Sequence, residues 1–157
     1  MATKDKSAII SGMGNDSNLY SITVNYSLSL EEMVAAGRYD WKNNDITAKH
    51  FSVKGEGVVD VDIELVHFDR VMDSSDEVIR ELNVGLRPAK IEELLAFGAK
   101  YPDVQRQFPI VALGSVWQHL DDRHVPFLWG YSDERYLYLD WFGDRWRGNF
   151  RFLAVRK

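Results

Sequence analysis

The side chains best suited to chemistry gather near the end of the chain. In Arg135-Tyr-Leu-Tyr-Leu-Asp-Trp-Phe142, Tyr136, Tyr138 and Asp140 alternate with Leu137, Leu139 and Trp141. A strand sends successive side chains to opposite faces, so leucines turned inward leave two phenols and a carboxylate turned outward. Trp129, Tyr131, Ser132 and Asp133 precede this run, and Asp144, Arg145, Arg147 and Asn149 follow it. Aromatic rings supply contact area with few torsions to freeze, while Arg and short polar groups supply directional hydrogen bonds, so this mixture suits recognition. The expected ligand-binding set is Trp129, Tyr131, Ser132, Tyr136, Tyr138, Asp140, Asp144, Arg145, Arg147 and Asn149. The expected ligand is a protein or a glycan, with no catalytic residue, metal or cofactor assigned. The bland alternative is that the aromatics, Trp129 and Trp146 first among them, fill a small β-rich core.

Other constellations compete. His119 and His124 flank Leu-Asp-Asp-Arg, a spacing that reads as a hairpin tip. With Asp121 and Asp122 it forms the alternative site, for a metal-assisted enzyme or a small-molecule pocket. Asp60, Asp62 and Glu64 alternate along one strand face and have the oxygen chemistry of a cation site. Like charges in a row more often mark a solvated face, and no calcium loop accompanies them. Gly114-Ser115-Val116 lacks the glycine spacing of a nucleophile elbow, and no phosphate-cradling glycine loop is present. The chain has no cysteine, which excludes disulfides, cysteine–zinc sites and a thiol nucleophile.

The elements that must position these groups follow from periodicity and capping. Residues 1–18 mix Lys, Asp, Ser, Gly and Asn around Ala8-Ile9-Ile10 and read as a flexible arm. A strand is expected over Tyr20 to Tyr26, and another over Val58 to Phe68 with Val59, Val61, Ile63 and Leu65 on one side. Ser29 with Glu32, and Ser74 with Glu77, have capping-box spacing, predicting helices from Leu30 to about Gly37 and from Ser75 to Gly85. A third helix is predicted with Pro88 in its first turn and Gly98 as its cap. Asp40 to Asp45 reads as a polar loop burying Trp41. From Phe108 the pattern becomes short strands: Ile110 to Leu113, Val125 to Trp129, Arg135 to Phe142 and Phe150 to Val155.

At 157 residues and 18.1 kDa the chain has room for one domain, expected over 19–157. Apolar residues are 45% and charged residues 27%, which excludes a disordered or collagen-like chain. A net charge of −5 gives no long-range attraction to nucleic acid. No apolar run reaches the ~20 residues of a membrane span, and no signal peptide is evident, so no membrane insertion and a cytoplasmic or phage-associated location are expected. From Trp117 onward lie eleven of the twenty aromatics. A structural subunit, self-associating as a homo-oligomer, is a further alternative.

Gly85-Leu-Arg-Pro-Ala-Lys-Ile-Glu-Glu-Leu-Leu95 resembles the helix-opening segment of bacterial C-type-lectin-like and formylglycine-generating-enzyme-like domains. The end of the chain is similar to their closing hairpin: Arg135-Tyr-Leu-Tyr-Leu-Asp-Trp-Phe-Gly-Asp144, then Gly148-Asn149, then Arg151-Phe-Leu-Ala-Val-Arg156. This likeness covers 85–157. The whole chain is also similar to a group of small bacterial proteins sharing the Pro109-Ile-Val-Ala-Leu-Gly-Ser-Val-Trp117 and Arg151-Phe-Leu-Ala-Val-Arg-Lys157 blocks. The resemblance implies an α+β fold: a C-type-lectin-like C-terminal half, of short helices and a small antiparallel sheet, with an N-terminal strand–helix–strand extension packed on it. Variable proteins of diversity-generating retroelements, which are of this kind, carry binding residues just before the last strand. That parallel implies a receptor-like surface on the ten residues named above, with Leu137, Leu139 and Trp141 as scaffold. The Glu-Pro-Asn, Gln-Pro-Asp and Trp-Asn-Asp signatures are absent, so calcium-bridged sugar binding is not implied. The cysteines of formylglycine-generating enzymes are absent as well.

Overall fold

The computed structural model describes residues 18–157, so the expected arm, apart from Asn18, lies outside the described residues. The described residues form an α+β fold, with three α-helices and a mixed nine-stranded sheet. In chain order the elements are β1 (Leu19–Asn25), α1 (Leu30–Ala36), β2 (Trp41–Lys42), β3 (Val58–Val66), α2 (Ser75–Leu82), β4 (Leu86–Pro88), α3 (Ile91–Lys100), β5 (Ile110–Val111), β6 (Trp117–His119), β7 (Asp122–Tyr131), β8 (Glu134–Trp141) and β9 (Arg151–Arg156). The sheet runs β1-β3-β9-β5-β7-β8-β2, with β4 paired to β9 and β6 to β7.

The N-terminal strands are part of this sheet rather than an extension packed onto it. β1 pairs antiparallel with β3 over seven residues, and β3 pairs with β9 from Ile63↔Val155 to Val66↔Phe152. Capping sets the helix starts as the spacing predicts. Ser29 Oγ accepts from Glu32 N at 3.1 Å while Glu32 returns a carboxylate to Ser29 N at 2.8 Å. Ser74 Oγ accepts from Glu77 N at 3.1 Å. The third helix differs from expectation at both ends. Leu86–Pro88 is a strand on β9, and α3 starts at Ile91, whose N–H donates to Ser115 Oγ at 2.8 Å. Pro88 fits this short strand and leaves the helix start to a hydroxyl borrowed from another element. Gly98 lies inside α3 instead of capping it, and the absence of a Cβ there makes room for the Tyr39 hydroxyl.

Alternation along the strands divides the interior into two cores. On one face Ile22, Ile63, Leu128, Leu137 and Leu153 pack under α1 and α3. On the other, Val111, Val125, Phe152 and Ala154 pack under α2 through Val78 and Leu82, with Met72 and Trp146. Trp146 is 0% exposed and donates its indole N–H to Ser75 Oγ at 3.0 Å, so the core-filling alternative holds for this tryptophan. Trp41 is 47% exposed, not buried under its loop. As edge strand β2, two residues long and parallel to β8, it lays its ring edge-on to Tyr138 at 4.5 Å.

A buried cation fixes where β8 begins. Arg135 is 4% exposed and points toward the α1/α3 face. Its guanidinium donates to Gly37 O at 2.5 Å, Gly98 O at 2.8 Å, Pro102 O at 2.9 Å and Gln105 Oε1 at 2.9 Å, and lies 4.8 Å from the Tyr39 ring centre. Gly37 caps α1 and Gly98 is in the last turn of α3. Two helix C-termini therefore offer their free carbonyls, and the negative ends of their dipoles, to one positive charge.

Candidate binding cleft

With Arg135 and Leu137 held inward, the pleat turns Tyr136, Tyr138 and Asp140 to the opposite face, where α2 does not reach. Tyr136 and Tyr138 stack at 5.5 Å and 12°, and Trp129, on neighbouring β7, tilts against them at 5.1 and 5.6 Å. Phe127 meets Tyr138 at 6.0 Å. The two phenols are half-buried by one another rather than free in water, which refines the expectation of an exposed pair.

Beside this ladder opens a cleft of about 630 Å³. Trp129, Tyr138, Asp140, Asp144, Arg145, Arg147 and Asn149 line it, so the fold brings seven of the ten expected residues to one cavity. Tyr136 stands next to it, its hydroxyl donating to the Glu134 carboxylate, a bond that helps push the phenol up to about 12. Tyr131, 71% exposed, and Ser132 form the tip of the β7–β8 hairpin and lie outside the cleft. Ser132 takes a φ of 59° at the first turn position. The far wall consists of Gln105 to Pro109, and Phe127, beside Tyr138, and Phe150 complete the lining; sequence reasoning missed these residues. Gln105 is 1% exposed and donates from Nε2 to the carbonyls of Trp129 and Tyr136 at 2.9 and 3.1 Å, tying that wall to the Arg135 network.

The electrostatics of the cleft are uneven. Asp140 Oδ1 accepts from Trp141 N at 2.8 Å. Burial, then a hydrogen bond that the protonated Asp140 carboxyl donates to Asp144 and that neighbour's charge, push the Asp140 carboxyl up to about 6. The cleft's arginines pair outward: Arg106 with Asp103, and Arg145 with Asp73 at 3.4 Å. Among the described residues Arg147 has no ion-pair partner. The Trp129 indole N–H is wholly buried and has no hydrogen-bond partner among the described residues.

The alternative site lies on the opposite face of the same strands. Its hairpin is as expected, with His119 opposite Asp122 and His124 opposite Trp117. The two histidine rings flank Trp117 at 5.0 and 5.2 Å, and His50 stacks on that indole at 3.9 Å and 13°. They line a basin of about 420 Å³ with Asp45 and Trp141, but Asp121 and Asp122 do not. Among the described residues no three His, Asp or Glu side chains converge on a metal position. Asp60 and Asp62 are engaged across the sheet, accepting from Thr23 Oγ1 at 2.7 Å and Ser21 Oγ at 3.4 Å. No described helix is long and apolar enough to cross a membrane. Compared with family models, curated proteins and solved structures, the chain matches none.

Proposed function

We propose that this chain is a non-enzymatic binding module whose cleft, with the hairpin tip beside it, recognises a protein ligand. The observation that carries the reading is the division of labour on β8. Side chains at 135 and 137 hold the core, while those at 138 and 140 line an open aromatic cleft, with 136 on the same face beside it. Side chains on that outer face can vary without removing the buried bonds that hold the strand. This is what the resemblance to lectin-like variable proteins implies for a receptor surface. A protein is favoured over a single sugar because the aromatic surface continues past the cleft through Tyr136 to the exposed Trp41 and Tyr131, so a partner can fill the pocket and cover its rim.

The test is peptide phage display panned on the wild-type domain, with enriched peptides re-tested on Tyr138→Ser and on Trp141→Ala, a variant of the basin face. Peptides that lose binding on the first and keep it on the second support the reading. A library yielding no peptide that depends on Tyr138 refutes it.

A further inference from the structure

We propose that the cleft takes an arginine side chain of the partner protein, its guanidinium seated between the Asp140–Asp144 carboxyl pair and the aromatic wall of Trp129, Tyr138 and Phe127. This rests on the reading of the cleft as a protein-binding site and names the chemistry of the group it receives. The two acidic side chains are partly buried, whereas Arg145 and Arg147 on the same cleft are exposed. Water already compensates the exposed cations. It compensates the carboxyl pair less, and the nearby cations that do form ion pairs among the described residues spend them on Asp103 and Asp73. An incoming cation therefore gains more here than an incoming anion gains from Arg147.

The aromatic wall favours the same sign, because ring faces carry negative potential. A guanidinium fits better than an ammonium, since it stacks flat on an aromatic face while presenting a donor fork to carboxylates. The elevated Asp140 carboxyl is consistent with a site that lacks its counter-ion.

The probe is N-acetyl-arginine amide, titrated at pH 7 while the Trp129 indole resonance is followed by NMR, beside the citrulline isostere and N-acetyl-glutamate amide. The arginine probe is expected to shift the resonance with an affinity at least about tenfold above either control, and an Asp140→Asn/Asp144→Asn variant to lose that advantage. Equal binding of citrulline, preference for glutamate, an unaltered affinity in the double variant, or no response to arginine overturns the proposal. Loss of folding in the double variant is checked by its amide spectrum, and Asp144→Asn alone then takes its place. Cleft-dependent peptides from the panning that contain no arginine also overturn it, yet leave the protein-binding reading standing. The two failures are thus distinct.

Discussion

Arg135→Met is the perturbation that separates two opposing physical effects. Burying a cation is costly, and burial pulls the Arg135 guanidinium below its ordinary value. Replacing buried charges by apolar groups of similar size has stabilised other proteins, so the sign of this change is not trivial. Here the acceptors are what decide it. Methionine fills much of the volume but leaves the carbonyls of Gly37, Gly98 and Pro102 and the Gln105 side-chain oxygen without their donor in the interior. Bonds from a charged donor contribute roughly 1.5–3 kcal/mol each, and an orphaned acceptor costs a further ~1–3 kcal/mol. Relaxation and water entry recover part of this, so the expected loss is about 3–5 kcal/mol, as for one-sided removal of a buried charge. In a domain of this size that lowers the unfolding midpoint by roughly 10 °C. Arg135→Lys keeps the charge but offers three donors from one atom where a planar fork reaches four acceptors, and is expected to lose about half as much. Urea unfolding with a common slope measures both. A methionine variant within about 1 kcal/mol of wild type would refute the idea that the two helix ends are pinned by this side chain.

The other predictions concern the two faces of the hairpin. Tyr138→Ala is expected to cost ~1 kcal/mol, the value of its aromatic contacts, whereas Leu137→Ala, wholly buried one residue away, costs ~2–5 kcal/mol; equal losses in urea unfolding would contradict the assigned faces. Ser132→Gly relieves a left-handed turn residue and is expected to raise stability by ~0.5–1 kcal/mol in the same assay, with a loss of stability as the contrary result. Asp140 titrates near 6 in the folded chain against an ordinary 3.8. The native state then holds the proton more tightly, and this group's contribution is most favourable below pH 4 and declines as pH rises from about 4 to about 6. Asp140→Asn therefore gains thermal stability relative to wild type as pH rises from 4 to 7; parallel pH profiles for the two proteins would count against it.

Much of this was legible in the residues themselves, and what was not had no local signal. The period of two from Tyr136 to Trp141 and the serine–glutamate spacings at 29/32 and 74/77 specify structure over a few residues, and each appears where it points. Leu86–Pro88 and Trp41–Lys42 are strands only because β9 and β8 pass beside them. Two or three residues carry no periodicity of their own. Arg135 falls on the leucine side of the alternation, but nothing local shows what could satisfy a cation there. Its burial depends on carbonyls 98 and 37 positions away in sequence, brought together by the packing of α1 and α3. The cleft shows the same limit. Its β8 wall and the loop that follows were readable, while the Gln105–Pro109 wall and the meeting of His50 with His119 and His124 came only with the tertiary structure.

Alanine scanning along β8, reading affinity for a peptide selected on the wild-type domain and circular dichroism for folding, bears most directly on the division between the two sides of this strand. Binding is expected to fall at Tyr136, Tyr138 and Asp140 and to persist at Trp141, a rhythm of every second residue. Affinity that survives all three outward substitutions, or that is lost at Trp141 instead, would contradict it.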